Sequence, residues 1–313
     1  EQKGLLMTLR HLNIFIAVAE TGSMSDAARR LYLSQPTVSQ SIHELEEHYN
    51  ILLFERLGRR LYITDAGRQL LSLAHHVTDN YNTLEKSMQK TSTVPSLRLG
   101  SSITVGTCLI PSVINDLEAM IPNIEILSFV TNTRKIEKKL LRSELDVAVV
   151  EGNIESPDLI SIPVIDDFLV LACSSRHEFY QSDRITPGDL EGQKFAIRES
   201  GSGTRKLFEQ YLASHNITIR TYWEANCPKT ILNAVAANNA LAVMSVRLMQ
   251  DELADGRLKI FRNTSGEWDR TFKIVYHRNK LINNEIDCLN EVLKRYRSPV
   301  VPPCAVASLT SGE

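Results

Sequence analysis

The sequence predicts an α/β chain in three parts: an N-terminal winged helix-turn-helix, one long dimerisation helix, and a two-lobed domain. Three patterns carry this. Three short amphipathic runs precede a basic hairpin; an apolar stripe then keeps a four-three spacing over nearly three heptads; and beyond Ser96 short strand-like runs alternate with helical ones, twice over.

From Thr8 to Glu20 the apolar residues Leu12, Phe15, Ile16, Val18 and Ala19 recur at helical spacing, and Gly22 ends the run. Ser23, with Asp26 three residues on, forms a capping box that opens a second helix, in which Ala27, Ala28 and Leu31 pack closely. Ser34 caps a third, with Pro36 in the first turn, where a missing N–H costs nothing, and with Val38, Ile42, Leu45 and Tyr49 as its buried face. The run LLFERLGRRLYITDAG reads as two strands joined at Gly58, Arg59 and Arg60, a wing with a basic tip. The long helix that follows carries Leu70, Ala74, Val77, Tyr81, Leu84 and Met88 as a narrow seam that requires a partner helix. The polar run KTSTVPS reads as a hinge.

Beyond it, LRLGSS, EILSFV, LDVAVVE, LISIPVI and DFLVLACSS read as strands around two helices, and the rhythm restarts with KFAIRE, TYWEAN, ALAVMS and LKIFR. A mostly parallel sheet with helices on its faces is expected in each lobe, with a ligand in the crevice beyond the strand ends. FKIVYHR and the helix from Asn283 to Tyr296 return to the first lobe. The expected boundaries are an N-terminal extension over 1–7, with MTLRHL as the natural start, a DNA-binding domain over 8–65, the long helix over 66–90 and a hinge over 91–96. A two-lobed domain over 97–298 follows, with its first lobe at 97–166 and 268–298 and its second at 167–267. The proline-containing tail, 299–313, is expected to be disordered.

The totals exclude several classes. A formal charge of −2, with seven Lys/Arg against eight Asp/Glu up to Asp65, means that any DNA contact depends on local placement. The five cysteines, Cys108, Cys173, Cys227, Cys288 and Cys304, are scattered and contain no C-x-x-C pair, which fits a reducing compartment and no metal site. No stretch reaches the roughly 18 apolar residues of a membrane span, and no export signal is visible, so a cytoplasmic protein without membrane contact is expected. The eight histidines are dispersed, and neither Ser101, Ser102 and Thr104 nor Ser202 and Thr204 have one close in sequence, which argues against an enzyme.

The stretches FIAVAETGSMSDAARRLYLSQPTVSQSIHELE and LFERLGRRLYITDAG, with the linker helix and two-lobed domain behind them, resemble the LysR-type transcriptional regulators over nearly the whole chain. The resemblance implies a winged helix-turn-helix on promoter DNA, a dimerising linker helix, a periplasmic-binding-protein-like (type 2) effector domain and assembly as a homotetramer, a dimer of dimers. RNA polymerase is a further expected partner. Both hydroxyl motifs resemble those of the branch containing cysteine-biosynthesis and Calvin-cycle regulators, which respond to small anionic metabolites or inorganic anions. The rival reading is a plain solute-binding module, which would not need Ser23 to Thr64.

At 100° per residue, Pro36, Gln40 and His43 lie opposite the buried face of the third helix, with Gln35, Thr37 and Ser39 beside them; these are the candidate base readers. Gln40 stands where an arginine is common in the family. Arg56, Arg59 and Arg60 suit phosphates or a narrow minor groove. The acidic Glu44, Glu46 and Glu47 would repel phosphates, so the helix enters by its N-terminal end. In the effector domain, GSSITVGTCLIP puts Ser101, Ser102 and Thr104 at a strand-to-helix switch, and RESGSGTR repeats this with Gly201, Ser202, Gly203, Thr204 and Arg205. Two helix N-termini facing across a cleft would clamp a small oxyanion or carboxylate, with no cofactor. Glu151 falls nearby and would accept a bond from the ligand or from Arg205. Against this stands plain helix capping by Ser102, Ser202 and Thr204.

Overall fold

The computed structural model describes residues 7–57, 60–88, 94–299 and 306–310. They divide into two compact units.

The first unit opens with α1 (Leu9–Thr21), α2 (Met24–Leu31) and α3 (Gln35–Tyr49). Ser23 accepts from the Asp26 N–H at 3.3 Å and Ser34 from that of Thr37 at 3.3 Å, so each helix starts where a hydroxyl satisfies an orphan donor. Leu12, Phe15, Val18, Ala27, Val38, Ile42 and Leu45 form one core with Leu53 and Phe54. Tyr49 is not part of it. It is half exposed at the last turn of α3, past the point where α1 and α2 can cover it. The wing is β1 (Phe54–Leu57) antiparallel to β2 (Arg60–Ile63), with Phe54 opposite Ile63; its tip at Gly58 and Arg59 lies outside the described residues, as do residues 91–93 of the expected hinge 91–96. Then comes α4 (Asp65–Met88). Gly67 is required in its first turn, since a Cβ there would lie 2.4 Å from the Leu53 carbonyl oxygen.

The seam of α4 splits. Leu70 and Ala74 pack back into the core of their own unit, whereas Val77, Tyr81, Leu84 and Met88 are exposed, with Leu73 beside them. A single helical stripe thus serves two different surfaces.

The second unit contains β3 (Ser96–Ser101), α5 (Ile103–Cys108), α6 (Ile110–Met120), β4 (Glu125–Val130), α7 (Thr133–Leu141), β5 (Val147–Glu151) and β6 (Leu159–Ser174), then β7 (Arg184–Ile185), β8 (Lys194–Arg198), α8 (Gly203–Ser214), β9 (Arg220–Ala225) and α9 (Pro228–Asn238). It continues with β10 (Ala242–Ser245), α10 (Gln250–Ala254), β11 (Leu258–Asn263), β12 (Asp269–His277), α11 (Asn284–Lys294) and β13 (Val306–Leu309). The strand order β4-β3-β5-β12-β6 builds the first lobe, and β6-β11-β13-β7, with β10 also on β6, builds the second. One strand serves both: the first part of β6 pairs with β12, and its end pairs with β10 and β11. The expected break between LISIPVI and DFLVLACSS is therefore a continuous 16-residue strand. Along its second half Leu169, Leu171 and Cys173 face a core under α8, while Val170 and Ala172 face another under α9 and α10, the alternation of a strand covered on both sides.

Two further expectations are corrected. The sheet is mixed rather than mostly parallel, because the chain that crosses to the second lobe must return, which sets β12 antiparallel to both β5 and β6. Part of the tail, over 306–310, is ordered. Val306–Leu309 runs parallel to β11 and β7, burying Ala307 and Leu309 in the second-lobe core, a pairing available because β11 would otherwise be an open edge.

Candidate functional site

The lobes meet at the two strand-to-helix switches, which differ in chemistry. In the first lobe Ser102 precedes α5 but makes no cap bond; its hydroxyl donates to Oε2 of Glu151. Thr104 Oγ1 donates to the other carboxylate oxygen at 3.1 Å, and Thr133 Oγ1 to the Glu151 carbonyl at 2.8 Å. Glu151, at the end of β5, is only 1 % exposed. Burial pushes its carboxyl above the ordinary carboxylate range, while Arg270 and Arg198 pull it back down. Ser101 is fully buried, and its Oγ has no partner among the described residues.

In the second lobe Ser202 does cap its helix, accepting from the Arg205 N–H at 3.4 Å. Thr204 accepts instead from a guanidinium, Arg270 Nη1 at 2.9 Å. Arg270 Nε donates to Asp167 at 2.7 Å, where Ser245 also donates at 2.7 Å and Arg247 Nε stands 3.6 Å away. Arg198 holds Glu199 through Nε at 3.0 Å and Nη2 at 3.3 Å. The buried nitrogens Arg198 Nη1 and Arg270 Nη2 have no hydrogen-bond partner among the described residues.

Glycine lets the halves close. A Cβ on Gly203 would stand 2.9 Å from the Glu151 carbonyl oxygen and 3.0 Å from its Cγ, so the first turn of α8 rests on Glu151 only because the side chain is absent. Gly201, at φ 87, turns the preceding loop against Asn132 and Arg134. Cavities of about 400 Å³ and about 290 Å³ flank this contact, and Gly152 and Gly203 line both. Arg270 and Lys273 line the smaller one.

Arg205 is placed differently from expectation. Its guanidinium reaches Glu209 at 2.6 Å, Glu224 at 2.8 Å and the Arg198 carbonyl at 3.2 Å, which holds it on the second lobe; Glu151 takes its bonds from Ser102 and Thr104.

In the first unit, Gln35, Pro36, Gln40 and His43 are exposed on α3, with Thr37 and Ser39 half-buried beside them. Ser39 and His43 share a concavity of about 320 Å³ with Arg56 of β1, which joins helix and wing in one surface. Arg59 lies outside the described residues, and Arg60 is placed through its backbone in β2. Only part of the acidic run is free to repel a phosphate. Glu46 accepts from the Leu53 and Phe54 N–H groups at 2.8 and 3.2 Å, and Glu44 is bonded by Gln40 and by His11, each at 3.0 Å, which lowers its pKa. These carboxylates hold the wing and α1 to α3.

Residues 9–68 match the bacterial regulatory helix-turn-helix protein, lysR family, and residues 91–298 match the LysR substrate binding domain. This chain belongs to the LysR family. As a LysR-type regulator it couples a DNA-binding domain to an effector-binding domain. Among its relatives is a RuBisCO operon transcriptional regulator of Acidithiobacillus ferrooxidans, 28% identical over 290 residues that cover 91% of this chain and 93% of that one. Similar solved structures include a full-length OxyR variant from Pseudomonas aeruginosa, with TM-score 0.71 and 21% identity over 95% of this chain and 99% of that one. Another is the Synechocystis PCC6803 CcmR regulatory domain in complex with 2-PG, with TM-score 0.59 and 25% identity over 64% and 96% of the two chains.

In this LysR regulator the cleft residues that sequence reasoning passed over are Arg198, Arg270, Asp167 and Ser245. Signals existed. Arg198 opens the glycine-rich run, and Asp166 with Asp167 interrupts an otherwise apolar strand, which is costly unless a buried cation stands opposite. Arg270 gave the weakest signal, because only the return of β12 across the lobe boundary brings it to Asp167, 103 residues away in sequence.

Proposed function

We propose that this LysR regulator reads promoter DNA with α3 and the wing, self-associates through the exposed stripe of α4, and takes a small anionic effector at the contact between its lobes. One observation carries the effector reading: Ser102 and Thr104 of the first lobe already donate to a carboxylate, while buried guanidiniums of Arg270 and Arg198 face the same group with one N–H direction each unspent. Such donors stabilise an anion wherever they are preorganised. The 2-PG held by the CcmR regulatory domain supports an anionic ligand for this chain as well.

On α4, Val77, Tyr81 and Met88 present a row of apolar side chains that a second copy of the helix would bury. For the effector site, the test is footprinting of the cognate promoter with and without inorganic phosphate. The reading expects a changed footprint in wild type and an unchanged one in Thr104→Val/Thr204→Val with apo DNA affinity retained. The same anion-dependent change in both proteins would sink it.

A further inference from the structure

With Glu151 ionised, the buried cluster between the lobes is balanced in charge. Arg198, Arg247 and Arg270 stand against Glu151, Asp167 and Glu199. Adding an anion to a neutral buried cluster leaves its negative charge uncompensated, which low-polarity surroundings penalise heavily. A neighbouring cation lowers that penalty, and a proton at the point of contact removes the repulsion between two facing oxygens without neutralising a dianion. Of the remaining basic groups near the cleft, Arg205 is spent on Glu209 and Glu224, Lys206 pairs with Glu155 at 2.9 Å at the surface, Lys273 in the smaller cavity donates to Asn153 at 3.1 Å, and Arg134 on the larger one is exposed to solvent.

Glu151 is the group positioned to take the proton. Charged or titratable groups facing it are Arg270 from β12, Arg198 from β8 and Cys108 from α5; the remaining contacts are the hydroxyls of Ser102, Thr104 and Thr133 and the backbone of Gly203. Burial pushes the Cys108 thiol up to about 12, so it stays neutral and contributes no charge near neutral pH. Both Glu151 oxygens already accept hydrogen bonds, and an anion brought to the same donors would meet this carboxylate oxygen to oxygen. Two oxyanions in contact are repulsive unless one proton lies between them.

We propose that the cleft takes its anion together with one proton, shared between Glu151 and a ligand oxygen, and so selects an oxyanion that carries an O–H near neutral pH, such as hydrogen phosphate, over sulfate, which carries none. This rests on the anion reading above. For hydrogen phosphate the ligand's own O–H donates to the Glu151 carboxylate, and no proton is drawn from solvent. For sulfate one proton must pass from solvent to Glu151, which then donates to a sulfate oxygen. The two anions match in size and shape, so the difference isolates the proton.

Isothermal titration of the full chain with inorganic phosphate and with sulfate, from mildly acidic to mildly alkaline pH, tests this. Wild type binds phosphate at least about tenfold tighter than sulfate at neutral pH, and sulfate affinity falls about tenfold per pH unit on the alkaline side while phosphate affinity does not follow it. In Glu151→Gln, whose amide donates without titrating, the phosphate preference collapses below about twofold and the sulfate slope disappears. Should that variant not fold, the contrasting pH courses in wild type decide alone. Equal affinities with the same pH course in wild type, or a preference that Glu151→Gln leaves intact, overturn the proton-sharing inference and leave the anion site standing. Absence of binding by either anion overturns both.

Discussion

At the first-lobe switch Ser102 and Thr104 give both their hydroxyl hydrogens to Glu151; at the second, Ser202 and Thr204, at the same spacing, accept, one from a backbone N–H and the other from Arg270. A hydroxyl is both donor and acceptor, so the same Ser-x-Thr pattern serves either polarity, and the charge brought by a distant strand decides which. The first lobe is thereby shaped around a negative group and the second around a positive one, and the two press together at Gly203.

The largest effect is expected at Arg270, the link between the second-lobe hydroxyl and the crossing strand. Arg270→Ala leaves Asp167 buried without its closest cation and costs about 3 to 5 kcal/mol in chemical denaturation. A loss below 1 kcal/mol, roughly the value of a surface pair, would show that the second switch does not depend on charge.

Next comes the contact where the switches meet. Gly203→Ala drives a methyl to 2.9 Å from a backbone oxygen, and costs about 1 to 3 kcal/mol in denaturation, with opening of the lobes visible in small-angle scattering. An unchanged scattering profile with wild-type stability would mean that the lobes do not rest on one another there.

The two hydroxyl pairs should then separate. Thr104→Val removes a donor from a buried carboxylate and costs about 1 to 3 kcal/mol, whereas Ser202→Ala removes an ordinary cap worth about 1 kcal/mol. Equal losses would erase the distinction drawn between the lobes.

A smaller and more diagnostic effect is the pH course of stability. Burial raises the folded-state pKa of Glu151, so the folded protein holds this proton more firmly than the unfolded chain. The resulting stabilisation is fully present below the ordinary glutamate value and is lost as pH rises through the folded value, at no more than about 1.4 kcal/mol per pH unit. Glu151→Gln flattens that part of the curve. A curve unchanged by the substitution would show that Glu151 binds its proton equally in both states.

What was legible in the sequence follows the range of the interactions. Caps at Ser23 and Ser34, the core face Val38/Ile42/Leu45 and the glycine-rich turn are settled within one or two helical turns, and each could be read directly. The seam of α4 was legible as a stripe but not in its division, because whether Leu70 and Ala74 face a partner or their own core depends on where α1 lies. The mixed sheet order and β13 depend on strands far apart in the chain, and no local pattern encodes them. Within the cleft, the hydroxyls and glycines were visible and their polarity was not, since Arg270 and Asp167 arrive from other strands. The expected bond from Arg205 to Glu151 failed for the same reason: Glu209, one helical turn on, was the nearer acceptor.

The central claim is that the two switches act together on one anion. The most direct measurement is promoter affinity of the full chain, titrated with inorganic phosphate, for wild type and for Thr104→Val/Thr204→Val. Phosphate is expected to shift wild-type affinity by a coupling of about 1 to 3 kcal/mol, and the double variant to bind the promoter as tightly as unliganded wild type with no shift. A double variant that keeps the wild-type shift at the same phosphate concentration contradicts the account, and returns the hydroxyls to the role of helix caps.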